Sequence, residues 1–213
     1  MKIGCFALID AFKSLDHQLK RIAEMGFEYA DITDSHPGSS LGRDAGFTAQ
    51  VSLDDNPFDI KRTFQKYGLK ISTFCAHARL LDPSTPSRYG TSEIMQAIKI
   101  AALIDIPYVV TTEGEPHSEW ANKLSFEEKV LITAEKLYEP VRLATDLGVT
   151  ILLEPHGPLT DTIEGMKAIT KSLGDPMNLG VNLDTGNCWL GGSDPVQFAQ
   201  AFKDKIFHVH WKD

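Results

Sequence analysis

The chain has 213 residues, 42% of them hydrophobic and 23% charged, with a net charge of −8. That is enough for one domain with a sizeable core, and the acidic balance argues against a nucleic-acid partner held by bulk electrostatics. No apolar run reaches the roughly 18 residues of a membrane span, and the N-terminus lacks a signal-peptide pattern.

Lys2–Ile9 is an apolar run suited to a first buried strand. Leu15, Leu19, Ile22 and Ala23 follow at helical spacing, with Ser14 as N-cap and Gly26 as the stop. Phe27–Thr33 reads as strand two, with Asp31 and Asp34 near its end. Residues 34–56 are polar and without period, a long connecting loop. Asn56-Pro57 opens a second helix that Gly68 closes. Leu69–Ala76 is strand three, ending at His77; Ser92–Ile104 is a helix; Ile106–Thr112 is strand four, left through Glu113 and Glu115. Ser125 and Glu128 form a capping-box pattern for a helix to Leu147, which Pro140 is expected to kink or interrupt. Val149–Glu154 is strand five, Thr162–Ser172 a helix, and the stretch from Leu179 strand six, left through a Gly-containing turn. Asp194-Pro195 opens the last helix, and Ile206–Trp211 is strand seven.

The three cysteines, Cys5, Cys75 and Cys188, form no C-x-x-C pair, so a reducing, cytoplasmic compartment is expected. Cys5 and Cys75 read as small buried apolar residues. Strict strand–helix alternation predicts a parallel sheet with helices outside it. An open doubly wound sheet and a (β/α) barrel compete. The Gly-rich phosphate fingerprint of the open dinucleotide fold is missing after strand one, where the chain reads Ile9-Asp10-Ala11-Phe12. Polar residues instead recur at strand ends, at His36, His77, Glu113, Glu154, Asp184 and His210, and a barrel would gather all such ends on one face.

Three of these ends concentrate the chemistry. Glu154, Asp184 and His210 close consecutive strands, about one βα unit apart. A carboxylate at the tip of a buried strand is costly unless it is paired or bound to a cation. Two carboxylates and an imidazole suit Mn²⁺, Mg²⁺, Co²⁺ or Zn²⁺, with Mn²⁺ favoured here. Alternation points His208 and His210 the same way, and likewise Asn182 and Asp184.

Leu-Leu-Glu-Pro-His (152–156), Asn-Leu-Asp-Thr-Gly-Asn (182–187) and His-Val-His-Trp-Lys-Asp (208–213) resemble motifs of the xylose isomerase-like barrels, which include sugar epimerases, inosose dehydratases and the endonuclease IV enzymes. The resemblance runs from strand one to strand seven and implies a (β/α)8 TIM barrel. It implies metal-ligand roles for Glu154, Asp184 and His210, and a proton-moving role beside a carbonyl for Glu154. It departs from the family at Asn187, where sugar epimerases tend to carry His. The larger departure is that the family's eighth strand, with a second Glu, has no counterpart. Residues 1–213 therefore read as a single barrel domain truncated after the seventh strand, lacking the eighth βα unit. Its unpaired edges would invite homo-oligomerisation.

The expected activity is a divalent-metal-dependent isomerase or epimerase acting on a sugar or polyol ketone through an enediolate. His77, His156 and Asn187 would hold hydroxyls, Trp189 would offer an apolar face, and Lys212 would neutralise developing charge. A dehydratase acting on a keto-sugar and a non-catalytic sugar- or metal-binding subunit are the alternatives. His208 has the plainer reading of a hydrogen-bonded core imidazole, and Asp184 that of a turn-holding carboxylate.

Overall fold

Seven apolar segments pair as strands, each followed by a helix-forming stretch except the last. The computed structural model describes residues 1–34, 46–48, 51–82, 89–115 and 118–212. His36, His117 and Asp213 lie outside them, as does most of the long polar loop. The strands are β1 (Gly4–Phe6), β2 (Tyr29–Thr33), β3 (Lys70–Cys75), β4 (Tyr108–Thr111), β5 (Thr150–Leu153), β6 (Leu179–Asp184) and β7 (Ile206–His210). The helices are α1 (Leu15–Glu24), α2 (Pro57–Lys66), α3 (Tyr89–Leu103), α4 (Glu119–Lys123), α5 (Phe126–Leu147), α6 (Ile163–Ser172), α7 (Thr185–Leu190) and α8 (Pro195–Ala201).

All pairings are parallel, and the sheet runs in chain order from β1 to β7. With β1 at an edge, the doubly wound alternative is excluded, because that fold places strand one inside the sheet. The sheet curls far enough to bring its two edges together: the ring of Phe6 in β1 stacks on that of His210 in β7, centroids 5.3 Å apart. Among the described residues no backbone ladder joins β1 to β7.

Strand alternation divides the buried residues into two sets. Ile32, Phe74, Val109, Ile151 and Leu183 face outward into the main core beneath the helices. Cys75, Val110 and Leu152, with Phe6 and Tyr108 against them, form a small inner cluster. Two irregularities re-aim side chains toward this interior. In β3, Ser72 and Thr73 together stand opposite Asp31 of β2. In β7, Phe207 is an extra residue opposite the Val181–Asn182 step of β6. Bulges of this kind commonly adjust geometry beside functional sites. Gly180 makes room for the second one, since a Cβ there would lie 2.4 Å from the Phe207 ring.

Two local expectations need correction. The α5 helix, capped by the Ser125–Glu128 box and closed by Gly148 in the left-handed region, is continuous through Pro140. Proline removes the N–H that would bond the Lys136 carbonyl four residues back. The Thr91 hydroxyl of α3 donates to that carbonyl instead, at 2.8 Å, so no acceptor is orphaned. The turn expected after Asp184 is a short helix, α7, whose N-cap is Asp184 itself. A further short helix, α4, is capped by Ser118 in the connection between β4 and α5.

Candidate metal and sugar site

Glu154, Asp184 and His210 meet at the C-terminal ends of β5, β6 and β7. Each offers a ligand atom, and these atoms lie within 4.8 Å of one another. Glu154 and Asp184 are each 1% exposed. Asp184 divides its oxygens between two tasks. Its Oδ1 accepts the Asn187 backbone N–H at 2.8 Å, the turn-holding role of an N-cap. Its Oδ2 is buried without a hydrogen bond, although the Lys212 ammonium lies 2.6 Å away and His210 Nδ1 3.6 Å away. Glu154 Oε1 lies 2.8 Å from His210 Nδ1. Its Oε2 stands 2.7 Å from His77 Nε2, again outside hydrogen-bonding angles.

Buried carboxylate oxygens without hydrogen bonds are expensive. Two of them, with an imidazole nitrogen alongside, make a donor set that a divalent cation fits. The ion-free electrostatics point the same way. Burial works against the charged form of Glu154, yet the imidazoles of His77 and His210 hold its carboxyl well below the usual range. Burial likewise works against His210, but the Asp184 carboxylate, the Cys75 thiol and the Glu154 carboxylate beside it raise its pKa far above the ordinary imidazole value.

Around this cluster lie most of the other residues singled out from sequence. His77 flanks Glu154, with its ring 5.5 Å from that of His156. The Asn187 amide reaches His156 Nδ1 at 2.9 Å, and its Oδ1 accepts from Lys212 Nζ at 3.2 Å. Burial, with His77 nearby, lowers the pKa of His156 and keeps it neutral. Trp189 is the exception. It sits on α7 with 70% of its surface exposed. There it lines a groove of about 690 Å³ with Leu190, Val196, Trp211 and Lys212. Glu113, a strand-end carboxylate, is fully buried for a structural purpose: its Oε1 accepts the backbone N–H groups of Leu159 (2.6 Å) and Thr160 (3.0 Å).

A second layer lies behind, in which His208 is the hydrogen-bonded core imidazole expected from sequence and Asp31 is the member that sequence reasoning missed. His208 Nδ1 donates to Asn182 Oδ1 at 2.9 Å, and the Asn182 amide nitrogen lies 3.0 Å from His210 Nδ1. Behind both imidazoles stands Asp31, 5% exposed. The available signal was a lone carboxylate in the apolar run Tyr29–Thr33. Cys75, read as a small apolar residue, also lies against His210, and burial raises its thiol pKa to about 11.

Residues 19–213 match the xylose isomerase-like TIM barrel family. The chain belongs to that family. An inosose dehydratase from Geobacillus kaustophilus (strain HTA426) is 26% identical over 116 residues, which is 50% of this chain and 37% of the relative. The match therefore spans little more than a third of that enzyme. The crystal structure of a D-tagatose 3-epimerase-like protein superposes with a TM-score of 0.78 at 25% identity, covering 100% of this chain and 76% of the other. The IolI protein, solved with a binding zinc atom, superposes at 0.71 and 20% identity over 98% of this chain and 72% of its own, a likeness of fold alone.

Proposed function

We propose that this chain carries the site of a divalent-metal-dependent sugar isomerase or epimerase, held by Glu154, Asp184 and His210. The observation that carries the proposal is the convergence of three ligand-capable side chains on one buried point, with Glu154 Oε2 and Asp184 Oδ2 lacking hydrogen bonds. A divalent ion held there would act as a Lewis acid on a carbonyl and a neighbouring hydroxyl. The chain's own residues account for the rest. Glu154, kept ionised by its imidazole neighbours, takes the proton from the carbon beside the carbonyl. His77 and neutral His156 present ring nitrogens to hydroxyl groups, and Asn187 and Lys212 continue the polar surface from His156. The Lys212 ammonium, half-exposed, is placed to offset negative charge on substrate oxygen. Trp189 has no part in this reading.

Dehydration of a keto-sugar is the second reading, favoured by the inosose dehydratase relative. It begins with the same proton removal and then expels a β-hydroxyl. Incubation with Mn²⁺ and a panel of ketoses in D₂O tests both. Deuterium at the α-carbon with the formula otherwise retained supports isomerisation, and loss of water supports dehydration. Sugar binding without exchange would leave only a binding subunit. Calorimetry with Mn²⁺, Mg²⁺, Co²⁺ and Zn²⁺ on the same protein ranks the ions.

A further inference from the structure

We infer that Asp31 is the positioning residue for His210: its carboxylate accepts the Nε2 proton, so that Nδ1 is the nitrogen offered to the ion. The inference rests on the metal reading and extends it to a residue on the far side of the ring. His210 Nδ1 is the nitrogen that faces Glu154 Oε1 at 2.8 Å and Asp184 Oδ2 at 3.6 Å. An ion held by those carboxylates can take only that nitrogen, and a neutral imidazole must then carry its proton on Nε2. His210 Nε2 is buried and without a hydrogen bond, and Asp31 Oδ2 lies 3.7 Å from it.

The local backbone prepares Asp31 for this task. The bulge in β3 turns two successive hydroxyls onto one oxygen: Ser72 Oγ donates to Asp31 Oδ1 at 2.6 Å and Thr73 Oγ1 at 2.8 Å. With Oδ1 anchored, Oδ2 is directed at the imidazole. The His210 ring is held from other sides by Phe6, stacked at 17° between planes, and by His208, edge-on at 88°. Cys75 is the competing partner for the ring, but a thiol is a weak acceptor beside a carboxylate. Carboxylate groups behind ligating imidazoles fix the ring and raise its basicity, and their loss typically weakens metal binding by about 10–100-fold.

The test uses zinc as the probe and the whole chain. In the zinc-loaded wild type, ¹⁵N–¹H correlation spectra of the imidazoles should show His210 protonated at Nε2 and ligating through Nδ1. Calorimetry should show zinc binding weakened by about 10–100-fold in Asp31→Asn, whose amide turns a donor toward Nε2–H, and nearly unchanged in Cys75→Ala. Ser72→Ala with Thr73→Val, which frees the carboxylate from its anchor, should fall between them. If Asp31→Asn fails to fold, the Ser72→Ala, Thr73→Val variant decides the matter: wild-type zinc affinity in that variant overturns the inference. A proton on Nδ1 in the loaded protein, or undiminished affinity in folded Asp31→Asn, overturns the inference while leaving the metal site intact. Wild-type protein that binds no zinc removes the metal reading, and this inference with it.

Discussion

Asp184 shows how one side chain can satisfy two readings that compete at the level of sequence. Its Oδ1 caps α7 and its Oδ2 faces the cation position, so removing the carboxylate loses both a helix cap and a ligand. Glu154 is freer of structural duty, because neither of its oxygens bonds a backbone group. Glu154→Gln should therefore leave the fold intact while lowering α-proton exchange by about 10²–10⁴-fold, measured as deuterium incorporation under saturating Mn²⁺. Asp161 allows a prediction in pH. Burial, and the charges of Glu113 and Glu115, raise its pKa from 3.8 to about 6 although the Gly157 backbone opposes the shift. The folded chain holds this proton more tightly than the unfolded one, so stability falls as pH rises from 3.8 through about 6. Asp161→Asn should melt higher than wild type at about pH 7.5, and the difference should shrink at about pH 5; an equal difference at both would assign it to another cause.

At the scale of elements, two contacts between neighbours matter more than propensity. The Thr91 hydroxyl of α3 is what lets α5 pass through Pro140. Thr91→Val keeps the shape and orphans the Lys136 carbonyl, at a cost of about 1–3 kcal/mol in denaturant unfolding. The second contact is Glu113, which ties the end of β4 to the segment that carries His156. Glu113→Ala leaves two backbone N–H groups unpaired and should destabilise by roughly 2–4 kcal/mol. If Glu113 is an anchor and not a base, Glu113→Gln, which keeps an acceptor, should retain proton exchange within a few fold of wild type. A loss as deep as that of Glu154→Gln would restore Glu113 as a candidate acid or base.

At the scale of the whole molecule, the curled sheet leaves two strand edges without ladder partners among the described residues. Beside the β7 edge, Val209, Trp211, Trp189 and Leu190 are exposed, at 42%, 82%, 70% and 77%. Contiguous apolar surface beside an open edge favours association. Sedimentation equilibrium should show concentration-dependent self-association, and Val209→Lys with Trp211→Lys should shift it toward the monomer. A monomer throughout the accessible concentration range would mean that this surface is tolerated bare.

By itself the sequence determined the alternation of strands and helices, the ends at which Glu154, Asp184 and His210 fall, and the caps at Ser14, Asn56, Ser125 and Asp194. These depend on local periodicity and on side chains within about four residues, which any linear reading can see. The tertiary structure decided what depends on partners far away in the chain. Pro140 is harmless because of a hydroxyl 49 positions earlier. Asp31 matters because two bulges, in β3 and β7, bring Ser72, Thr73, His208 and His210 around it. Trp189 lies on a short helix and not in a strand-end turn because Asp184 starts that helix immediately, which rotates the next residues off the strand direction. A bulge shifts every following side chain by one step of the pleat, and a helix turns each by about 100°. Neither is encoded in the spacing of the residues whose direction it changes, so these orientations became visible only when the strands were paired.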